Sequence, residues 1–225
     1  MWTHEVQIDG FGTGAFDWTT TDERNSYVDA EGLHIVPTLT NETTSITTDQ
    51  MYANFTLNLN NEQKGGDGSC TSERNSSCFL RSNPEEGLMI PAVRSARLST
   101  KGKKSIRYGQ VEVVAKLPEG DWLWPAIWMM PENSVYGEWP RSGEIDIMEA
   151  RGNSRDYPEG GRNVYYGTTH WGKLPFCVFV FKAAMLTIFT RSHLRHRCLL
   201  ALYWRKENPP RRILRWLPHF RHAVD

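Results

Sequence analysis

The 225-residue sequence balances 26 Lys and Arg against 26 Asp and Glu, and its 39% hydrophobic and 12% aromatic content suffices for one domain of ordinary size, or one domain plus a tail. The zero net charge hides an asymmetry: residues 1–172 hold 15 basic and 24 acidic residues, whereas residues 173–225 hold 11 basic and 2 acidic residues with four of the seven histidines. Such opposite compositions exclude reading the chain as one uniform domain.

In chain order, the opening Met1-Trp2-Thr3-His4-Glu5-Val6 has neither the basic nor the apolar region of a signal peptide. Residues 25–29 and 33–39 flank Ala30-Glu31-Gly32, which predicts a hairpin. Residues 60–84 form a polar excursion containing Gly65-Gly66-Asp67-Gly68, read as a long loop, with Cys70 and Cys78 spaced for a short disulfide. Acceptor sequons stand at Asn41, Asn54 and Asn75. Together with the cysteine pair they lean toward an exported protein whose natural N-terminus lies outside this sequence.

Residues 109–117 alternate apolar Val111, Val113, Ala115 and Leu117 with Gln110, Glu112 and Lys116, predicting a half-buried strand in which Val114 is the exception. The apolar run 123–130, closed by Pro131, predicts a strand buried on both faces. No amphipathic helix is evident, and many short strands with frequent turns predict an all-β sandwich. Residues 176–181 could add one strand. The longest apolar run, 174–190, is broken by Lys182 and is shorter than the ~20 residues of a membrane span, so no membrane association is expected. The basic tail could be a nucleic-acid-binding arm, but its composition is read in preference as a frame or splicing product.

The chemistry concentrates in Gly143-Glu144-Ile145-Asp146-Ile147-Met148-Glu149. On a strand, Glu144 and Asp146 share one face while Ile145 and Ile147 pack behind. Glu149 lies an odd number of residues from Glu144, and one inserted residue near Ile147-Met148, a β-bulge, returns it to the acidic face. Four effective steps of ~3.3 Å then separate the two glutamate backbones by about 13 Å. Their side chains can lean inward toward the ~5–5.5 Å that a retaining glycosidase needs between its carboxyls. Three carboxylates on one face cannot all ionise cheaply, so at least one pKa should rise. The proton is most useful on Glu149, as general acid, with Glu144 as nucleophile and Asp146 orienting it. A solvated acidic strand or a calcium site are the alternatives.

At this strand the sequence resembles glycoside hydrolase family 16, in its laminarinase-like branch. The resemblance rests on residues 108–118, Trp124-Pro125-Ala126-Ile127-Trp128, residues 139–149, Gly152-Asn153 and Thr168-Thr169-His170-Trp171-Gly172. Looser similarity extends through Glu23-Arg24-Asn25 and Gly32-Leu33-His34-Ile35. It implies a concanavalin A-like β-jelly-roll sandwich over residues 1–172, incomplete at its C-terminal end. Residues 173–225 form an unrelated tail.

The resemblance also implies an endo-acting, retaining hydrolase of β-1,3 or mixed β-1,3/1,4 glucan, outside the cell or in the cell wall. By matching positions Glu144 is the nucleophile, Asp146 its helper and Glu149 the acid/base. Trp139, His170 and Trp171 are expected to line the cleft with Trp122 at its edge, and Arg97 joins them on a looser match. Trp124 and Trp128 are expected in the core. A monomer is expected, with no metal, no cofactor and no nucleic-acid partner. An inactive fragment or non-catalytic glucan-binding protein, and a cell-wall transglycosylase, are the competing readings.

Overall fold

The computed structural model describes residues 1–66, 68–172, 178–184 and 198–203, which fall into two compact units, Met1–Ser105 and Ile106–Asp225. The first unit comprises β1 (Thr3–His4), β2 (Asp17–Thr19), β3 (Ser26–Asp29), β4 (Gly32–Ile35), β5 (Thr38–Leu39), helices α1 (Thr40–Thr43) and α2 (Thr48–Tyr52), β6 (Thr56–Asn58), β7 (Phe79–Arg81), β8 (Val93–Ser95) and β9 (Leu98–Ser99). The expected hairpin forms between β3 and β4, in register from Ser26 opposite Ile35 to Asp29 opposite Gly32. It ends earlier than residue 39: Pro37 has no N–H to continue the ladder, and β5 pairs instead with β8, which is also parallel to β2.

Two features differ from expectation. Helix α2 is only five residues long, too short for a periodic signal, and is started by a capping box in which Thr47 and Gln50 exchange hydrogen bonds. The 60–84 excursion is not wholly loop, because β7 pairs antiparallel with β6. A Cys70–Cys78 disulfide with Cα atoms 5.8 Å apart closes it, and the Ser77 hydroxyl donates to the Asp9 carboxylate at 2.6 Å. Val6, Ile8, Trp18, Ile46, Met51, Leu57, Leu59, Cys78 and Ile90 are buried together beneath these elements. At ~1.5–3 kcal/mol per large apolar side chain, that cluster dominates the unit's stability.

The second unit comprises β10 (Gln110–Ala115), β11 (Ala126–Met129), β12 (Glu144–Ala150), β13 (Val164–His170), β14 (Val178–Ala184) and β15 (Cys198–Tyr203). Strand β10 pairs antiparallel with β15, and β11-β12-β13-β14 form one antiparallel sheet. The predicted alternation along β10 is present, with Val114 on the exposed side. The run 123–130 is not buried on both faces: Ala126 is exposed, and Trp124 and Met130 are about half exposed. Behind β12, Ile147, Met148 and Ala150 are buried against Val111, Leu117, Ile127, Met129 and Tyr165. The expected strand at 176–181 is observed as β14, though residues 176 and 177 lie outside the described residues. The reading of the basic tail also falls largely outside them. Among the described residues no helix is long and apolar enough to cross a membrane.

Candidate active site

The turn before β12 aims its first residue. Gly143 has φ 92°, a left-handed conformation that glycine adopts without a Cβ penalty, and its N–H donates to the Pro140 carbonyl at 3.0 Å. Along β12, Glu144 faces His170, Asp146 faces Thr168 and Glu149 faces Tyr166 on β13. On the other side Asp146 faces Trp128, Met148 faces Ile127 and Glu149 faces Ala126 on β11. In both ladders β12 uses one more residue than its neighbour between Asp146 and Glu149, leaving Ile147 without an opposite on β11. This is the bulge expected near Ile147-Met148, and it sets Glu144, Asp146 and Glu149 on one face while Ile147 and Met148 enter the core.

Each glutamate is held by an indole. Trp139 Nε1 donates to Glu144 Oε2 at 2.5 Å, and Trp124 Nε1 donates to Glu149 Oε1 at 3.0 Å. Between them, Asp146 is only 5% exposed, with Oδ2 3.1 Å from His170 Nε2. His170 Nε2 also lies 4.0 Å from Glu144 Oε1, and its ring tilts against Trp139 with centroids 5.6 Å apart.

Burial, reinforced by the charges of Glu144 and Glu149 and by a hydrogen bond with Glu144, pushes the Asp146 carboxyl up to about 8. At least one of the three carboxyls is expected to titrate high, and Asp146, buried between the other two, does so. Glu144, Asp146 and His170 also offer donor atoms within 4.8 Å of one another, the grouping among the described residues that could hold a cation.

Of the remaining candidates, Trp122 is 78% exposed in a left-handed backbone conformation (φ 69°) and meets Tyr157 edge to face at 5.9 Å. Trp171 is half exposed just past β13. Arg97 lies in the first unit, donating to Glu5 at 2.6 Å with its guanidinium 3.7 Å from the Phe11 ring centroid.

Several residues at the site were not among the expected ones. Trp124, placed in the core by sequence, binds Glu149, and Trp128, also placed there, stands opposite Asp146. The signal was available: Trp124, Ala126 and Trp128 share parity, so a β11 with one open face presents all three to the carboxylates. Arg151 and Tyr166 complete a hollow of about 310 Å³ lined with Trp124, Glu149, Glu159 and Thr168.

Residues 88–157 match the family model described as the XgeA-like catalytic domain of glycoside hydrolase family 16. The β-1,3-glucan-binding protein of Penaeus monodon is 39% identical over 210 residues, 92% of this chain and 55% of that protein. An alignment of that extent runs past Gly172. The glucan endo-1,3-beta-glucosidase A1 of Niallia circulans is 51% identical over 72 residues, 32% of this chain and 11% of that one. The chain therefore spans about half or less of these two relatives. The laminarinase of Rhodothermus marinus superposes with a TM-score of 0.55 at 24% identity, over 90% of this chain and 60% of that one, and shares its all-β jelly-roll fold. Residues 88–157 thus carry the likeness to the catalytic domain of glycoside hydrolase family 16, and the fold agrees with it.

Proposed function

We propose that the chain hydrolyses internal β-1,3 or mixed β-1,3/1,4 linkages of β-glucan by double displacement with retention. One observation carries this reading: the bulge in β12 assembles Glu144, Asp146 and Glu149 on one face, each glutamate gripped by an indole N–H. Glu144 attacks the anomeric carbon while Glu149 passes a proton to the departing glycosidic oxygen. Water then enters, Glu149 removes its proton, and the Glu144 ester is released. Asp146, protonated, hydrogen-bonds to Glu144 and fixes its orientation, and His170 braces Asp146 from β13. Sugar rings present apolar faces, for which the exposed rings of Trp122, Trp139 and Trp171 are suited. The reaction requires no cofactor.

The chain is placed outside the cell or in the cell wall, as a monomer acting on polysaccharide. The Cys70–Cys78 disulfide and the exposure of all three sequon asparagines, Asn41, Asn54 and Asn75, support export.

The test is release of reducing ends from laminarin by the full chain beside its Glu144→Gln variant. Release by the wild type alone is expected, and equal signals from both would sink the hydrolase reading. A second reading, glucan binding without turnover, is favoured by the name of the Penaeus monodon relative. It predicts retention on a laminarin column with no reducing ends formed.

A further inference from the structure

We infer that Arg151 is a positioning residue for Glu149, acting through Trp124; the inference rests on the hydrolase reading above for the role of Glu149. Arg151 follows β12 directly, two residues beyond Glu149, so strand parity puts both on one face. Its guanidinium is fixed from three sides. One terminal nitrogen donates to the Tyr166 hydroxyl at 3.0 Å and to the Glu159 carbonyl at 3.2 Å, and the other donates to the Glu159 carboxylate at 3.1 Å. The Tyr166 hydroxyl donates in turn to the Glu159 carbonyl at 2.6 Å.

So fixed, the guanidinium carbon lies 5.1 Å from the Trp124 ring centroid and 5.5 Å from that of Tyr166. These two rings run nearly parallel, at 11° and 6.3 Å between centroids. A cation over an indole face attracts it electrostatically, and the attraction is strongest for tryptophan.

The ring so held is the one whose Nε1 donates to Glu149. Trp124 is about half exposed, so packing alone leaves its ring loosely determined. Arg151 and Tyr166 supply the missing constraint, and the proton donor inherits it. Glu159 has a second part in this arrangement. By occupying the guanidinium it keeps Arg151 from pairing directly with Glu149. The acid is thus steadied by a neutral N–H while the nearby cation is neutralised elsewhere.

A positioning role differs from a structural one in its dependence on the leaving group. The full chain and its Arg151→Met and Arg151→Lys variants are assayed on laminarin, whose leaving sugar needs a proton, and on 2,4-dinitrophenyl β-laminaribioside, whose phenolate departs without one. Because a general acid supplies ~10²–10⁴ in rate, a misplaced one costs roughly 10-fold in kcat on laminarin. Arg151→Met is expected to show that loss with KM little changed, while kcat/KM on the aryl substrate, which reports only the first step, stays intact, and Arg151→Lys to recover part of it. Equal losses of kcat/KM on both substrates, or none on laminarin, would overturn the inference.

An independent reading comes from ¹⁵N-indole spectra, with the Trp124 N–H signal identified by its disappearance in Trp124→Phe. That signal should move in Arg151→Met in the direction it takes in Glu149→Gln, and a stationary signal also overturns the inference. Absence of wild-type turnover on both substrates would defeat the hydrolase reading, while the indole signal would still decide the coupling.

Discussion

Both units bury a charged side chain beside a tryptophan or among aromatic neighbours, and they treat it in opposite ways. In the first, Arg94 is 5% exposed, lies 4.7 Å over the buried ring of Trp18, and is paired with Asp22 at 3.0 Å. In the second, Asp146 is equally buried but flanked by two further carboxylates. The Asp22 carboxyl is held well below its usual range, first by the hydrogen bond from Arg24 and also by Arg94, whereas the Asp146 carboxyl is driven up. The tryptophans divide similarly: Trp18 is 2% exposed, while Trp122, Trp124, Trp139 and Trp171 are each about half exposed or more. Removing the partner of a paired buried charge destabilises a fold, whereas a carboxyl buried among like charges has its pKa driven up, a condition that clusters at functional sites.

The sharpest way to break this contrast is to remove one charge from each unit. Glu144→Gln should lower kcat on laminarin by at least ~10³-fold, the scale of losing a nucleophile, while the melting temperature stays nearly unchanged. Asp22→Ala should do the reverse. It strands the buried Arg94 without its partner, a loss of about 3 kcal/mol that lowers Tm by roughly 6–12 °C. Because the folded-state pKa of Asp22 is depressed, its contribution is complete above the ordinary carboxylate range and is lost as pH falls through and below it. Wild-type Tm should therefore drop on acidification below about pH 4 more steeply than that of Asp22→Ala. Scanning calorimetry of both proteins across that range checks this.

A smaller effect is expected where backbone segments touch behind the site. A Cβ on Gly152 would lie 2.4 Å from the Gly120 carbonyl oxygen and 3.0 Å from Leu123 Cβ, and Gly152 exchanges backbone hydrogen bonds with both residues. Gly152→Ala should cost ~1–3 kcal/mol and displace the 120–124 segment that carries Trp122 and Trp124. Weakened retention on a laminarin column at a temperature where the variant remains folded would register that displacement.

The site was legible in sequence to the extent that strand parity dictates it. Glu144 and Asp146 are two apart, Glu149 is not in phase with them, and only an inserted residue reconciles the three; Ile147 is that residue. The alternation of β10 was equally readable, since one face of it is simply wetter than the other. What parity could not supply was the surroundings of each strand. An apolar run reads as doubly buried unless one knows that one face of its sheet is left uncovered, and that is decided by packing distant in sequence. Trp124 was misplaced for this reason. Arg151 carried no local signal at all, because its partners Tyr166 and Glu159 reach it only through the β12–β13 ladder and the turn between them. The expectation that at least one carboxyl must titrate high fits Asp146, where desolvation adds to charge proximity.

One further effect tests that last point directly. A carboxyl whose pKa is near 4 in the unfolded chain and about 8 in the fold binds more protons when folded throughout the interval between. Stability must then decline as pH rises from about 4 to about 8, the opposite sign to the Asp22 effect. Asparagine matches the protonated carboxyl in shape and cannot ionise, so Asp146→Asn should remove this slope. The variant should gain on the wild type between pH 5 and pH 8, by up to roughly 4 kcal/mol if the carboxyl keeps its full shift. The paired Asp22 provides the internal control, since its own contribution is already constant across that interval. If wild type and Asp146→Asn keep the same Tm difference at both pH values, the aspartate is ionised in the fold. The contrast between a compensated and an uncompensated buried charge would then have to be abandoned.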